Sequence, residues 1–153
     1  MASGLSDKTI SDILAHITGE TDWSPTPFAA GLFLGWSTTV ITDTGTGGSA
    51  VTGWTEATDG GYARVTMEVA DWTAIGAGTV TTIDNDVEQA WAVATANWSS
   101  GSNITTLGAW THVSQTTGND IAFYGDVGTA KAVLNGDTAK ILVNNLDLTL
   151  TNS

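Results

Sequence analysis

Gly60-Gly61-Tyr62-Ala63-Arg64-Val65-Thr66-Met67-Glu68-Val69 opens on a glycine turn and runs directly into alternation. Ala63, Val65, Met67 and Val69 fall on one side of an extended chain, and Tyr62, Arg64, Thr66 and Glu68 on the other. Period two predicts a strand with one apolar face and one face carrying Arg64. That arginine is the only one in a chain of formal net charge -12, with four Lys and Arg against sixteen Asp and Glu. Solubility is already secured by the acids, so a lone guanidinium inside a β-pattern predicts a fixed pairing or packing role. Glu68 on the same face, or a carboxylate across the strand, is the expected partner.

The rest of the chain agrees with a β reading. Its 153 residues suit one domain, 1–153, with a real core, and 41% hydrophobic with 13% charged residues is a globular composition. Thr, Val, Trp and Tyr favour pleated surfaces. Eighteen glycines against two prolines supply the positive-φ positions that many corners need.

One segment reads as helix. Ser6 can cap it, Asp7 complements the positive end of its dipole, and Ile10, Ile13, Leu14 and Ile17 share a face. Leu5 and Ile10 form a hydrophobic staple and Gly19 a stop, which sets the helix at about 7–18. Its apolar stripe is expected on the domain's own sheet or on a neighbouring subunit.

Strands are predicted over 28–39, 51–55, 78–83, 88–96, 103–113, 120–125, 130–134 and 138–150, with a loop at 42–49. Asn135-Gly136 reads as a type I′ hairpin, and Asn144-Asn145 as a bulge or kink in the last strand. About eight short strands at this spacing predict an all-β, antiparallel β-sandwich or jelly-roll-like fold with one N-terminal α-helix.

Several function classes are disfavoured. Scattered cations argue against nucleic acid, whose backbone is bound by Lys and Arg clusters. No run of eighteen apolar residues exists, and the first residues lack the basic and apolar regions of an export signal, so no membrane partner is expected. Without cysteine there is no disulfide and no thiolate chemistry. His16 and His112 lack metal-ligand spacing, no Gly-x-Ser-x-Gly elbow occurs, and the glycines of 42–49 lack a P-loop lysine. No cofactor, metal or catalytic residue is therefore predicted. Asp84-Asn85-Asp86 with Glu88 is either a solvated turn or a collection of oxygens for a hard cation.

Seven tryptophans stand at 23, 36, 54, 72, 91, 98 and 110. They serve as core or subunit-interface residues, or as a stacking platform for glycans. Trp54 and Trp98, set among Gly, Thr and Ser, are the candidates for exposure. Arg64, Tyr62, Glu68, Trp54, Trp91 and Trp98 thus make up the structural or interface candidates.

The order of features carries a resemblance. Leu5-Ser6-Asp7 opening a helix that stops at Gly19, then Thr21-Asp22-Trp23-Ser24-Pro25, then Leu32-Phe33-Leu34, then Gly60-Gly61-Tyr62-Ala63-Arg64-Val65 resemble small tailed-bacteriophage structural proteins of the tail-fibre-like or head-decoration kind. Ile104-Thr105 to Trp110, Asp120-Ile121-Ala122-Phe123-Tyr124-Gly125 and Val133-Leu134-Asn135-Gly136-Asp137-Thr138 extend it over nearly the whole chain. Residues 84–102, with Trp91 and Trp98, depart from the family pattern. The resemblance implies a non-enzymatic virion protein with a β-sandwich fold. The leading expectation is a capsid decoration protein that binds the major capsid protein on the outer head surface as a homo-oligomer. A tail or tail-fibre component is the alternative, and a carbohydrate-binding module the alternative of another class.

Overall fold

The computed structural model describes residues 3–5, 14, 18, 31–41, 53–73, 82–110 and 121–149. The fold is all-β and antiparallel. Its frame is a five-stranded sheet of order β1-β7-β6-β2-β3, where β1 is Ser3–Leu5, β2 Leu32–Ser37, β3 Val65–Met67, β6 Asn103–Trp110 and β7 Ile121–Ala132. Two short ribbons complete it: β4 (Thr82–Asp84) with β9 (Asp147–Thr149), and β5 (Gln89–Ala90) with β8 (Lys140–Ile141).

Both faces of the large sheet are covered, which follows from the alternation of its strands. On one face Leu34, Trp36, Met67, Leu107, Ala109 and Phe123 pack with Trp91, Ala94, Trp98, Val133 and Ile141. The β5–β8 ribbon and its flanking loops close that side. On the other face Ile41, Trp110 and Ile121 form a smaller cluster with Phe33, Trp54 and Tyr124. A buried indole removes roughly 150–250 Å² from water, a gross gain of about 4–6 kcal/mol. Among the described residues four indoles are buried, Trp36, Trp91, Trp98 and Trp110, and they are the bulkiest side chains of the core. Each of their N–H groups lacks a partner among the described residues, which offsets part of that gain.

The structure corrects several expectations. The helix at 7–18 lies mostly outside the described residues; Leu14 and Thr18 are helical, and the Thr18 hydroxyl donates to the Leu14 carbonyl at 3.0 Å. β1 was not foreseen, because three residues carry no readable period; it pairs Leu5 with Phe123. The strands expected at 120–125 and 130–134 form one element, β7. A bulge marks the break between them: β7 runs from Asp126 to Lys131 while β6 goes only from Thr106 to Ile104.

Asn135-Gly136 does turn, with the Asp137 N–H donating to the Leu134 carbonyl at 2.9 Å, but only Gly136 has positive φ, at 90°. That is the geometry of a type II turn, not type I′. No hairpin results, because β7 pairs with β6 and β8 with β5. The last predicted strand is likewise split into β8 and β9, and Asn144, at φ 59°, makes the kink. Expected strands elsewhere are trimmed, 28–39 to β2 and 88–96 to β5.

Candidate functional site

The edge of β2 is where the sheet is least regular. Thr38 N–H donates to the Thr55 carbonyl and Ala57 N–H to the Trp36 carbonyl, so residues 55–57 pair with β2. The chain then leaves this edge and returns as β3, whose Val65 faces Leu34. Between them the Trp36 backbone N–H has no strand carbonyl to meet. It donates instead to the Tyr62 hydroxyl at 2.8 Å, so a side chain completes the ladder. The loop can do this because Gly60 takes φ 57° and lies against the Ala96 carbonyl, where a Cβ would stand 2.2 Å from that oxygen.

Tyr62 in turn donates to Glu56 Oε1 at 3.0 Å. Arg64 grips the same carboxylate with its fork, Nε to Oε1 at 2.8 Å and Nη2 to Oε2 at 2.5 Å. The Trp54 indole N–H adds a bond to Oε2 at 3.3 Å. Glu56 and Arg64 are both buried. The guanidinium lies 4.3 Å from the centre of the Trp110 ring, and Trp54 meets Trp110 edge-on at 4.8 Å. A desolvated charge pair of this kind is tolerable only because its oxygens are filled.

The floor beneath the pair is glycine. Gly35 and Gly108 are direct partners in the β2–β6 register. A Cβ at Gly35 would stand 3.0 Å from the Tyr62 hydroxyl and 3.3 Å from Glu56 Oε1, and one at Gly108 would stand 2.9 Å from Trp54 Cζ3. The two missing side chains make the room into which Glu56, Arg64, Tyr62 and the indoles settle.

Electrostatics follow from this enclosure. Burial, and then the Glu56 carboxylate, push the Tyr62 phenol well above the usual tyrosine range; the Trp36 N–H and the Arg64 charge oppose them. A carboxylate has about four lone-pair sites, and Glu56 receives four donors. With both oxygens so occupied it is poorly placed to take a proton from a substrate. The arrangement ties residues 54–56 to the loop and strand at 62–64.

The sequence-derived candidates divide accordingly. Tyr62, Arg64 and Trp54 come together. Glu68 does not join them: it is exposed, and the partner of Arg64 is Glu56, which precedes the loop. The face assignment holds for three residues, since Val65 and Met67 join the larger core cluster while Arg64 lies over Trp110; Ala63 is exposed, and the Tyr62 ring packs against the larger cluster. Trp98 is not exposed. It is 1% accessible, because its backbone N–H donates to the Val133 carbonyl and its ring packs edge-on against Tyr62 at 4.9 Å. Trp91 stacks on Trp36 at 5.2 Å and serves this domain's own core. Trp54 is half-buried on Trp110. A row of exposed indoles is thus not formed by these residues.

Sequence reasoning missed Glu56, Trp110 and the two glycines. The available signal was an isolated glycine inside each of two strand patterns, Leu34-Gly35-Trp36 and Leu107-Gly108-Ala109, which marks close approach of other groups.

At 84–88 the surprise is Asn85, fully buried. Its amide donates to the Val87 and Leu142 carbonyls at 2.9 Å each, and its oxygen accepts from the Asn145 and Leu146 N–H groups at 3.0 and 2.9 Å. It ties β4 and β5 to the β8–β9 connection. Asp84 faces Asp147 across the β4–β9 ribbon, and Glu88 binds Lys140 at 2.8 Å. Partial desolvation and the Asp147 charge raise the Asp84 carboxyl above its ordinary range. Among the described residues no group of three His, Cys, Asp or Glu side chains is placed to hold a metal ion. His16 and His112 lie outside the described residues.

Compared with known proteins, residues 4–149 match the family model described as "Podophage GP4 fiber I protein gp80". No curated protein matches the chain.

Proposed function

As a member of the podophage GP4 fiber I protein gp80 family, this chain is a virion structural protein, and we propose that it is a subunit of a fibre on the virion exterior. The observation that carries this reading is the match itself, which runs from residue 4 to residue 149 and so engages nearly the whole domain. Of the two placements that the sequence left open, outer head surface and tail fibre, the family description favours the fibre. The role is mechanical rather than catalytic: the buried charged cluster has its acceptors filled, and its residues hold a sheet edge closed. The partners are other virion proteins, tail proteins before the major capsid protein, together with further copies of this chain. A formal net charge of -12 suits a surface that must stay soluble while exposed.

Quantitative mass spectrometry of purified virions, combined with immunogold labelling, tests this. Labelling at fibres with a copy number in step with other tail proteins is the expected result. A copy number in step with the major capsid protein, with label over the head, overturns the fibre reading in favour of decoration.

A further inference from the structure

We infer that Asn135-Gly136 is a site of spontaneous deamidation that the fold holds shut, so that the amide is stable in the native protein and reacts in chains that have not folded or have opened locally. It is the one Asn-Gly pair in the chain. The reaction needs only water. The Gly136 backbone nitrogen loses its proton to solvent and attacks the Asn135 side-chain carbonyl carbon; the bond from that carbon to the side-chain nitrogen breaks, and the nitrogen takes a proton back and leaves as ammonia. Water then opens the cyclic imide on either side, giving Asp or, with the backbone rerouted through the side chain, isoaspartate. Glycine after the asparagine favours this, because it has no Cβ to obstruct the attacking nitrogen.

Exposure does nothing to prevent the reaction. Leu134, Asn135, Gly136 and Asp137 are all exposed, and nothing stands within 4 Å of a Cβ built on Gly136, so water reaches the turn and the ring has room. The restraint is conformational. Gly136 has φ 90° and the Asp137 N–H donates to the Leu134 carbonyl, which makes a type II turn, and there the residue before the glycine has ψ of about +120°. That angle swings the Gly136 nitrogen away from the Asn135 Cβ, whereas the ring closes only when the two are nearly eclipsed. The nucleophile is engaged as well: the Gly136 N–H donates to the Ala94 carbonyl at 2.8 Å, and a carbonyl accepts that bond without removing the proton. Turning Asn135 into the reactive geometry therefore breaks both bonds.

Three further contacts brace the turn. The Asn135 backbone N–H donates to Asn97 Oδ1 at 3.0 Å, the Leu134 N–H to Asp137 Oδ2 at 2.9 Å, and the Ala94 N–H to the Asp137 carbonyl at 2.8 Å. Asn97 and Asn135 are 38 residues apart, so the brace exists only after distant segments have met. Isoaspartate adds a methylene to the backbone of this turn between β7 and β8, and the Leu134–Asp137 and Gly136–Ala94 bonds then cannot both form in register.

Incubation of the full chain at mildly alkaline pH, native in buffer and unfolded in guanidinium chloride, tests this, with the Asn135 peptide followed by mass spectrometry and isoaspartate read by enzymatic methylation. The native rate is expected to be roughly tenfold or more below the unfolded one, because two backbone hydrogen bonds must open first. Asn97→Ala removes a brace far from the reacting residues; it should raise the native rate several-fold and leave the unfolded rate unchanged, with near-ultraviolet dichroism retained. Asp137→Ala, which removes the Leu134 brace, should likewise raise the ratio of native to unfolded rate. Equal rates in native and unfolded wild type overturn the inference. So does a native rate that neither variant moves, because the restraint would then not lie in this turn. Absence of product from the unfolded chain overturns it too, since no reactivity would be left to restrain.

Discussion

Gly35 and Gly108 stand opposite one another in adjacent strands, and the space above this side-chain-free pair is filled by Glu56, Arg64, Tyr62, Trp54 and Trp110. Sheet interiors are ordinarily weakened by glycine. Here the absence of two methyl groups lets a buried ion pair and two indoles approach the sheet closely. Gly108→Ala is expected to be the more damaging change, since its Cβ would come within 2.8–2.9 Å of Ile121, Trp110 and Trp54 together. Overpacking of this kind costs about 1–3 kcal/mol. Gly35→Ala meets Tyr62, Arg64 and Glu56 instead, at 3.0–3.3 Å, and should cost less. Denaturant unfolding of both variants checks the order, and a reversed order would mean that the cluster yields more easily over Gly108.

The Arg64–Glu56 pair makes the next test. Removing one partner of a buried pair strands the other charge, and Glu56→Ala should cost about 3–5 kcal/mol. Arg64→Lys should also destabilise, because an ammonium cannot reproduce the two-point grip or lie over the Trp110 ring. Replacing both residues, as Glu56→Leu with Arg64→Met, should recover part of the loss. Equal stability of Arg64→Lys and wild type would show that the fork geometry is irrelevant.

Tyr62 predicts an alkaline limit. Its phenol is held above the usual value, so between about pH 10 and its folded value the native state binds a proton that the unfolded state releases. The stability from this group is complete below about pH 10 and declines as pH rises further. Tyrosinate absorbance at Tyr62 should appear only with unfolding. Tyr62→Phe should lower stability at neutral pH, through loss of the bonds to Glu56 and Trp36, and flatten the alkaline slope. Titration of Tyr62 within an intact fold would refute this.

Asn85 is a second pin with a sharper chemical requirement. Its amide nitrogen faces two carbonyls, which a carboxylate cannot serve, so Asn85→Asp should be severely destabilising even though it is isosteric. Two lost donations and two carbonyls left facing a buried charge amount to about 3 kcal/mol or more. Hydrogen exchange should localise the damage to the Asn145 and Leu146 amides and the β8–β9 connection.

Asp84 and Asp147 predict a dependence of the same sign as Tyr62, in the acid range. The folded-state carboxyl of Asp84 is raised, so its contribution is present below the ordinary aspartate value and lost as pH rises through the folded one. Asp147→Asn removes the repulsion and should raise stability at neutral pH while reducing its dependence on acid pH. Thermal unfolding at acid and neutral pH reads both effects.

Legibility from the sequence tracked the range of the forces involved. Alternation at 65–67 and 103–110, the turn at Asn135-Gly136 and the kink at Asn144 depend on a residue and its near neighbours, and each was readable. The false hairpin arose because the turn residues are local while the partners of β7 and β8 are not. Trp98 was misplaced for a related reason. Glycine and serine around it suggest exposure, but the Val133 carbonyl and the Tyr62 ring that bury it come from distant segments.

By itself the sequence determined an antiparallel β fold and the face on which Arg64 lies, because these follow from period and composition, and the order of its motifs carried the resemblance to phage virion proteins. Only the tertiary structure decided that Glu56 and not Glu68 binds Arg64, that Tyr62 completes the edge of β2, and that two glycines form the floor. Those facts depend on where the chain leaves a strand edge and where it returns. That path is set by packing across the sheet, in which residues far apart in sequence compete for one space, and no local pattern records the outcome.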